Sequence, residues 1–246
     1  IGSGSVAGIY LASNASLLAG LTNTGKISSG GDGIFVDQST LTETLSNVGT
    51  ISGASSGIKI SSSSTLTGGI ANLGLIQGDT LDGIGVFSST LSEGITNAGM
   101  ITGLEDGLAL ESGSTLSGGL NNSGLISAST DKAVLVSHSE LSGGITNTGS
   151  LVSGSTGLGF DNAQLFGGIL NAGLIAGTSV AGLLMVLSTV SGGINNTGTI
   201  SGGVAGFDMT SGSLLNGGLT NSGLISGTHY AINIDSSSNV TGGILV

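Results

Sequence analysis

The sequence predicts an all-β fold, a single-stranded parallel β-solenoid (β-helix) of about ten coils, each about 25 residues long. Three observations predict it. The tripeptide Asn-x-Gly recurs every 24 or 25 residues. The apolar residues around this tripeptide alternate with small polar residues, which is the period of a β-strand. Glycine makes up 49 of the 246 residues and proline none, a composition that excludes collagen and disfavours helices.

The asparagine of the tripeptide marks each coil, and apolar columns surround it. Leu or Val stands six residues before the asparagine, Leu or Ile two residues before it, and Ile or Leu four residues after it. A further apolar pair follows a small residue, as in Gly33-Ile34-Phe35-Val36. No single coil can enclose these side chains, so we expect stability to come from stacking neighbouring coils.

Differences in length between the copies mark the turns. The distance from the first Leu to the last Ile of each copy is constant, and insertions fall only before and after the Gly-Ile-x-Val segment. Insertions are tolerated in turns but not in paired strands, where a slip of one residue reverses every side chain.

A Gly-Gly pair such as Gly68-Gly69 precedes the second apolar column. Two copies carry Glu43 or Glu93 at the first position of this pair. An unpaired carboxylate inside an apolar core is strongly unfavourable. The pair is therefore predicted to be a corner that redirects the chain, which gives three short faces in each coil.

The asparagines are predicted to form a ladder. In it, each side-chain amide bonds to its copy in the next coil or caps the turn. Amides carry both a donor and an acceptor, so they can stack without limit. A ligand-binding role for this column is the alternative. Its nine members are Asn23, Asn47, Asn72, Asn97, Asn122, Asn147, Asn171, Asn196 and Asn221.

Composition excludes several classes of protein. The chain has 14 acidic residues, three lysines and no arginine, for a formal net charge of −11. A nucleic-acid partner is excluded because such proteins need clustered cations. No apolar run approaches the roughly 18–20 residues of a transmembrane segment. The absence of cysteine excludes disulfides and thiolate metal sites.

Catalytic residues are not expected. Enzymatic β-helices use clustered acidic and basic side chains, whereas His138 and His229 stand at different offsets from the repeat. We therefore expect no enzyme, no cofactor and no metal, and a polysaccharide-degrading enzyme ranks last among the alternatives. The scattered carboxylates are predicted to be solvated turn residues that confer solubility: Asp32, Asp37, Asp79, Asp82, Glu105, Asp106, Glu111 and Asp161.

The residues that flank the asparagine column leave a second function open. Many are small, such as Thr22 and Thr24, and a regular threonine array could match ice. Other copies, such as Ala71 and Leu73, interrupt the array. An ice- or glycan-binding module is therefore the alternative function.

The repeat T-L-S-G-G-I-T-N-T-G-x-I-S-G is clearest over Glu140–Gly154 and Thr189–Gly202. It resembles the repeats of autotransporter-type passengers and large bacterial surface adhesins, and the resemblance spans essentially the whole chain. It implies export to the surface of a diderm bacterium, hence an extracellular location, and service as a stalk, adhesin or matrix fibre. It supplies no catalytic residues.

We expect one continuous solenoid over residues 1–246, with apolar ends that lack a polar cap. Polar caps usually protect solenoid ends from edge-to-edge pairing. The chain is therefore expected either to continue into a longer array or to stack head to tail into a filament. Either arrangement gives a non-enzymatic structural or adhesive rod. Its expected partners are further coils of the same kind, with host or biofilm glycans as further partners. The residues expected at the end-to-end contacts are Ile1, Ile9, Leu11, Val240, Ile244 and Val246.

Overall fold

The structure, a computed structural model, describes residues 6–246. Its regular elements in this range are all β-strands, which form four parallel sheets around one apolar core. We name the sheets A, B, C and D. The chain runs through them in that order, and each strand pairs with its counterpart one coil later. The predicted parallel β-solenoid is confirmed, with about ten coils of about 25 residues.

Sheets A and B each contain ten strands. The strands of sheet A carry the Gly-Ile-x-Val segments and comprise Ala7–Leu11, Asp32–Asp37, Ile58–Ser61, Ile84–Phe87, Leu108–Glu111, Lys132–Ser137, Thr156–Asp161, Ala181–Val186, Ala205–Thr210 and Tyr230–Ile234. Sheet B carries the first Leu or Val of each copy and comprises Ser16–Leu17, Thr40–Leu41, Thr65–Leu66, Thr90–Leu91, Thr115–Leu116, Glu140–Ser142, Gln164–Phe166, Thr189–Ser191, Leu214–Asn216 and Asn239–Val240.

Sheets C and D follow the Gly-Gly corner. Sheet C comprises Leu21–Asn23, Leu45–Asn47, Ile70–Asn72, Ile95–Asn97, Leu120–Asn122, Ile145–Asn147, Ile169–Asn171, Ile194–Asn196, Leu219–Asn221 and Ile244–Leu245. Sheet D comprises Lys26–Ser29, Thr50–Gly53, Leu75–Gly78, Met100–Gly103, Leu125–Ala128, Ser150–Ser153, Leu174–Gly177, Thr199–Gly202 and Leu224–Gly227.

Each coil has four sheets and not the three predicted faces. The segment from the second apolar column to the third was expected to form one face, but the chain bends directly after each asparagine. Asn47 shows why, because its Nδ2 donates to the Gly49 carbonyl at 3.3 Å and to the Leu75 carbonyl at 3.0 Å. The side chain thus holds the bend from inside and separates sheet C from sheet D.

The Gly-Gly pair forms the corner between sheets B and C, as predicted. Gly143 and Gly144 have φ angles of 91° and 76°, a left-handed conformation that glycine adopts without the steric cost of a Cβ. Glu43 and Glu93, which take the first position of the pair in other coils, are exposed. The corner therefore keeps these two carboxylates out of the core.

The core is a set of aliphatic columns that run along the rod. Neighbouring coils stack in register, so that Ile70 pairs with Leu45 on one side and Ile95 on the other. These side chains are 0–2% exposed, and each contributes about 1.5–3 kcal/mol by its burial. In the terminal coils the same columns are only partly buried, at Ile9, Leu11, Leu17, Ile27, Ile232, Ile234 and Val240.

Candidate functional site

The asparagine column is the most regular polar feature of the interior. From Asn23 to Asn196, each Nδ2 donates to the Oδ1 of the asparagine in the next coil at 2.7–2.8 Å, so that a chain of hydrogen bonds runs along the rod. It joins Asn23, Asn47, Asn72, Asn97, Asn122, Asn147, Asn171, Asn196 and Asn221.

The amide groups of this column are already engaged within the coils. Besides its bond to Asn122, the Nδ2 of Asn97 donates to the Leu125 carbonyl at 3.1 Å and to the Gly99 carbonyl at 3.3 Å. Its Oδ1 accepts the bond from Asn72 at 2.7 Å. A buried amide with partners at both ends stabilises the stack and is poorly placed to contact a ligand.

A second polar column, made of serines, was not predicted. These residues lie two positions before the inward Leu or Val of sheet B and are buried. The N–H of Ser39 donates to the Oγ of Ser64 at 3.2 Å, and the same contact repeats in most coils. The signal was present, since serine recurs at this offset in the copies. The column comprises Ser39, Ser64, Ser89, Ser114, Ser139, Ser188 and Ser213.

Three carboxylates predicted to be solvated are in fact buried. Asp32, Asp82 and Asp106 are only 4–6% exposed and lie in one column, immediately before the Gly-Ile or Gly-Leu pair of sheet A. Their position turns the side chain towards the backbone of the next coil. The Oδ1 of Asp32 accepts the Ser56 N–H at 3.0 Å, and that of Asp106 accepts the Lys132 N–H at 2.8 Å. They cap backbone donors, which is why the prediction for these three was wrong.

The environment of Asp82 and Asp106 changes the acidity of these two carboxyls. Burial raises the pKa of Asp82 to about 7, and the carboxylates of Asp106 and Glu111 add to the effect. Burial likewise raises the pKa of Asp106 to about 7, against the lowering effect of its hydrogen bond from Lys132. Asp82 and Asp106 are thus titratable groups of the interior. Among residues 6–246 no group of three or more His, Asp or Glu side chains is arranged to hold a metal ion.

The two histidines lie on different corners of the rod. His138 follows a strand of sheet A, at the corner with sheet B, whereas His229 precedes a strand of sheet A, after sheet D. The fold does not bring them together.

The residues expected at the end-to-end contacts fall at the two ends of the rod. Ile9 and Leu11 lie in the first strand of sheet A, and Val240 and Ile244 lie in the last strands of sheets B and C. Ile244 is 43% exposed and Val246 is 78% exposed. Ile9 and Leu11, at the other end, are partly buried. Ile1 lies outside the described residues.

The surface columns beside the asparagines contain both small and large side chains. Thr22 and Thr96 are exposed, but Val48 and Leu170, in the columns after and before the asparagine, are each 52% exposed. Large aliphatic side chains therefore break the array of small residues that an ice-binding surface would need.

Comparison with known proteins does not assign this chain to a family. No family model matches it, and neither the curated proteins nor the solved structures gave a match. Within the described range, no helix is long and apolar enough to cross a bilayer. The geometry of the coils is therefore the basis for a functional proposal.

Proposed function

We propose that this chain is a non-enzymatic structural or adhesive rod of the bacterial surface, a fibre or stalk unit whose ends associate with further coils of the same kind. The observation that carries the proposal is the pairing of the sheets. Every strand stacks in register on its counterpart along the rod, and the stack ends in partly exposed apolar coils.

The interior supports a mechanical role. The asparagine column crosses every coil boundary in the middle of the rod, beside the aliphatic columns, and the serine column crosses most of these boundaries. Ten coils at about 4.8 Å per step give a rod about 43 Å long between its first and last coils. Because each coil contacts only its neighbours, length can increase by adding coils without any change in the core.

The ends offer the contact that would extend the rod. Leu219 pairs with Ile244 in the last coil, and Leu21 occupies the same column at the other end. A second copy stacked head to tail would continue this column and satisfy open strand edges, which otherwise remain free to pair. Further coils of a longer chain would make the same contact.

The proposed location rests on the repeat. Its resemblance to autotransporter-type passengers and surface adhesins supports an extracellular rod, and the absence of cysteine is compatible with it. An antibody raised against the chain would label intact, unpermeabilised cells of the source organism if the location is correct. Labelling only after permeabilisation would contradict it.

Sedimentation velocity and negative-stain electron microscopy test the association of the ends. The purified chain is expected to form linear species whose length increases with concentration. The Ile244→Lys variant, which places a charge on the terminal coil, is expected to remain monomeric. Val48→Lys, on the side of the rod, is the matched control and should assemble like the wild type. A folded wild-type chain that stays monomeric at high concentration would overturn the proposal.

A further inference from the structure

Four places in the chain have an asparagine or aspartate directly before a glycine. At such a pair the side-chain carbonyl lies within reach of the next backbone nitrogen, and glycine has no Cβ to hinder the attack of that nitrogen. The four pairs are Asp32-Gly33, Asp82-Gly83, Asp106-Gly107 and Asn216-Gly217. The last pair differs from the other three in burial and in hydrogen bonding.

The three aspartate pairs are protected by the stack. Their carboxyls are 4–6% exposed, and the nitrogen that would attack is held by a backbone hydrogen bond to the next coil. The acceptors are the carbonyls of Ser56 for Gly33 at 2.9 Å, Asp106 for Gly83 at 2.9 Å and Lys132 for Gly107 at 3.0 Å.

Asn216-Gly217 lies at the corner between sheets B and C. Asn216 ends the strand Leu214–Asn216 and is half-buried, whereas Gly217 is exposed and has a φ angle of 101°. No acceptor among residues 6–246 receives the Gly217 N–H. This nitrogen is therefore open to water and is not held away from the Asn216 side chain.

A hydroxyl from the next coil contacts the carbonyl oxygen of this side chain. The Thr241 hydroxyl donates to the Oδ1 of Asn216 at 3.1 Å, and its other acceptor, the Leu215 carbonyl, is farther away at 3.5 Å. Attack on the Cγ of Asn216 would place a negative charge on Oδ1. A donor already directed at that oxygen stabilises the charge and so favours the attack.

The asparagine column provides an internal comparison. Asn97 is fully buried, and the N–H of Ala98, which follows it, donates to the Asn72 carbonyl at 2.8 Å. Both the side chain and the following nitrogen are thus held in place. The members of the column are expected to remain intact where Asn216 reacts.

We infer that Asn216 is a site of spontaneous deamidation. The Gly217 nitrogen gives its proton to hydroxide and forms a bond to the Cγ of Asn216. The bond from Cγ to Nδ2 breaks, and Nδ2 takes a proton from water and leaves as ammonia, which closes a succinimide ring. Water then adds to one of the two ring carbonyls, and the bond from that carbon to the ring nitrogen breaks as the nitrogen regains a proton. Addition at Cγ leaves aspartate, and addition at the main-chain carbonyl leaves isoaspartate.

Isoaspartate loosens the terminal coil. It routes the main chain through the side-chain carbons and lengthens the corner by one bond. Two backbone hydrogen bonds to the terminal coil flank this corner, from the Thr241 N–H to the Leu215 carbonyl and from the Leu219 N–H to the Gly243 carbonyl, both at 3.0 Å. A longer corner cannot keep both in register. The chemistry is independent of the proposed function, and only its effect on end association rests on it.

Peptide mapping by mass spectrometry with electron-transfer dissociation, which separates isoaspartate from aspartate, tests the reaction on the folded chain during prolonged incubation. Asn216 is expected to convert before any other asparagine or aspartate, at a rate that increases with pH because hydroxide removes the proton. Thr241→Val should slow the conversion about tenfold. Thr220→Val, which makes the same change at an exposed threonine of the following strand, is the matched control and should leave the rate unchanged.

Hydrogen exchange of the fresh and the incubated chain tests the effect on the coil. The Leu219 and Thr241 amides should exchange faster after incubation. Asn216→Thr, which carries the residue found at the equivalent Thr67, should show no such change. The inference is overturned if Asn216 stays intact while another asparagine or aspartate reacts, if Thr241→Val reacts as fast as the wild type, or if the chain with isoaspartate exchanges like the fresh one. Sedimentation of the same samples reports separately on end association.

Discussion

Asn97 and Asn122 are joined across a coil boundary by a hydrogen bond of 2.8 Å from the Nδ2 of the first to the Oδ1 of the second. Both side chains are buried. Asn122 in turn donates to Asn147 at 2.8 Å. Because every internal member of the column is both donor and acceptor, removing one asparagine leaves partners unpaired in two neighbouring coils. The column therefore links the coils into one cooperative unit.

Asn122→Ala is expected to lower the free energy of unfolding by about 2–4 kcal/mol, because it orphans buried amide groups on both sides. Asn121→Ala, at the exposed neighbouring position, should change it by less than about 0.5 kcal/mol. Urea unfolding followed by circular dichroism measures both. Equal effects of the two substitutions would show that the column contributes nothing specific.

The Gly-Gly corner predicts that two glycine substitutions differ in their effect on stability. Gly144 has φ 76°, and a Cβ there would lie 2.7 Å from the Gly168 carbonyl oxygen. Gly144→Ala should therefore destabilise the chain by about 1–3 kcal/mol. At Gly25 a Cβ would meet open space, so Gly25→Ala should be nearly neutral. Thermal unfolding of the two variants checks this, and a neutral Gly144→Ala would rule out the left-handed corner.

The buried Asp82 and Asp106 predict how stability depends on pH. Their carboxyls have an ordinary pKa of 3.8 and titrate near 7 in the folded chain, so between these values the folded state binds more protons. The free energy of unfolding should be highest below about pH 4 and fall as pH rises through about 7, by an amount on the order of a few kcal/mol.

The Asp82→Asn/Asp106→Asn double variant isolates this effect. Its unfolding free energy should vary less than that of the wild type between about pH 5 and 8, and it should exceed the wild type at pH 8. Asp79→Asn, on the surface, should keep the wild-type dependence. Denaturant titrations across this range measure all three, and a double variant with the wild-type slope would contradict the assignment.

The serine column predicts a stabilising substitution. Ala163→Ser would supply the acceptor that the Ser139 N–H lacks and should raise the free energy of unfolding by about 1 kcal/mol. In the wild type the Ser89 N–H donates to the Ser114 Oγ at 3.3 Å. Ser114→Ala removes this acceptor and should lower the free energy of unfolding by a similar amount or more. Chemical unfolding of both variants provides the measurement. Effects of the same sign would argue against the column.

The fold was predictable because every copy of the repeat has the same strand pattern of apolar and small polar residues. Residues such as Leu41 and Ile70 recur at constant offsets, and constant offsets are what in-register stacking requires. The bend after Asn47 was not predictable from alternation, because the apolar period continues through it while the side-chain amide holds the turn from inside. The fourth sheet depends on that contact.

The buried polar columns and the recess at the corner between sheets A and B could not be predicted from the sequence alone. Asp82 looks like any turn carboxylate in the sequence, and only its position against the next coil shows that it is buried. The shorter corners at His138 and Asn162 are visible as differences in length. Their consequence is an open recess of about 460 Å³ beside Gly113, which depends on these two corners being stacked in succession.

Disulfide trapping tests the stack of in-register coils most directly, because the chain has no cysteine of its own. Thr96 and Asn121 pair on the outer face of sheet C, and coils about 4.8 Å apart bring their Cα atoms within disulfide range. The Thr96→Cys/Asn121→Cys variant should therefore oxidise to an intramolecular disulfide. Thr96→Cys/Thr146→Cys, two coils apart, should not. Efficient bridging of the second pair, or failure of the first in a folded chain, would contradict the solenoid.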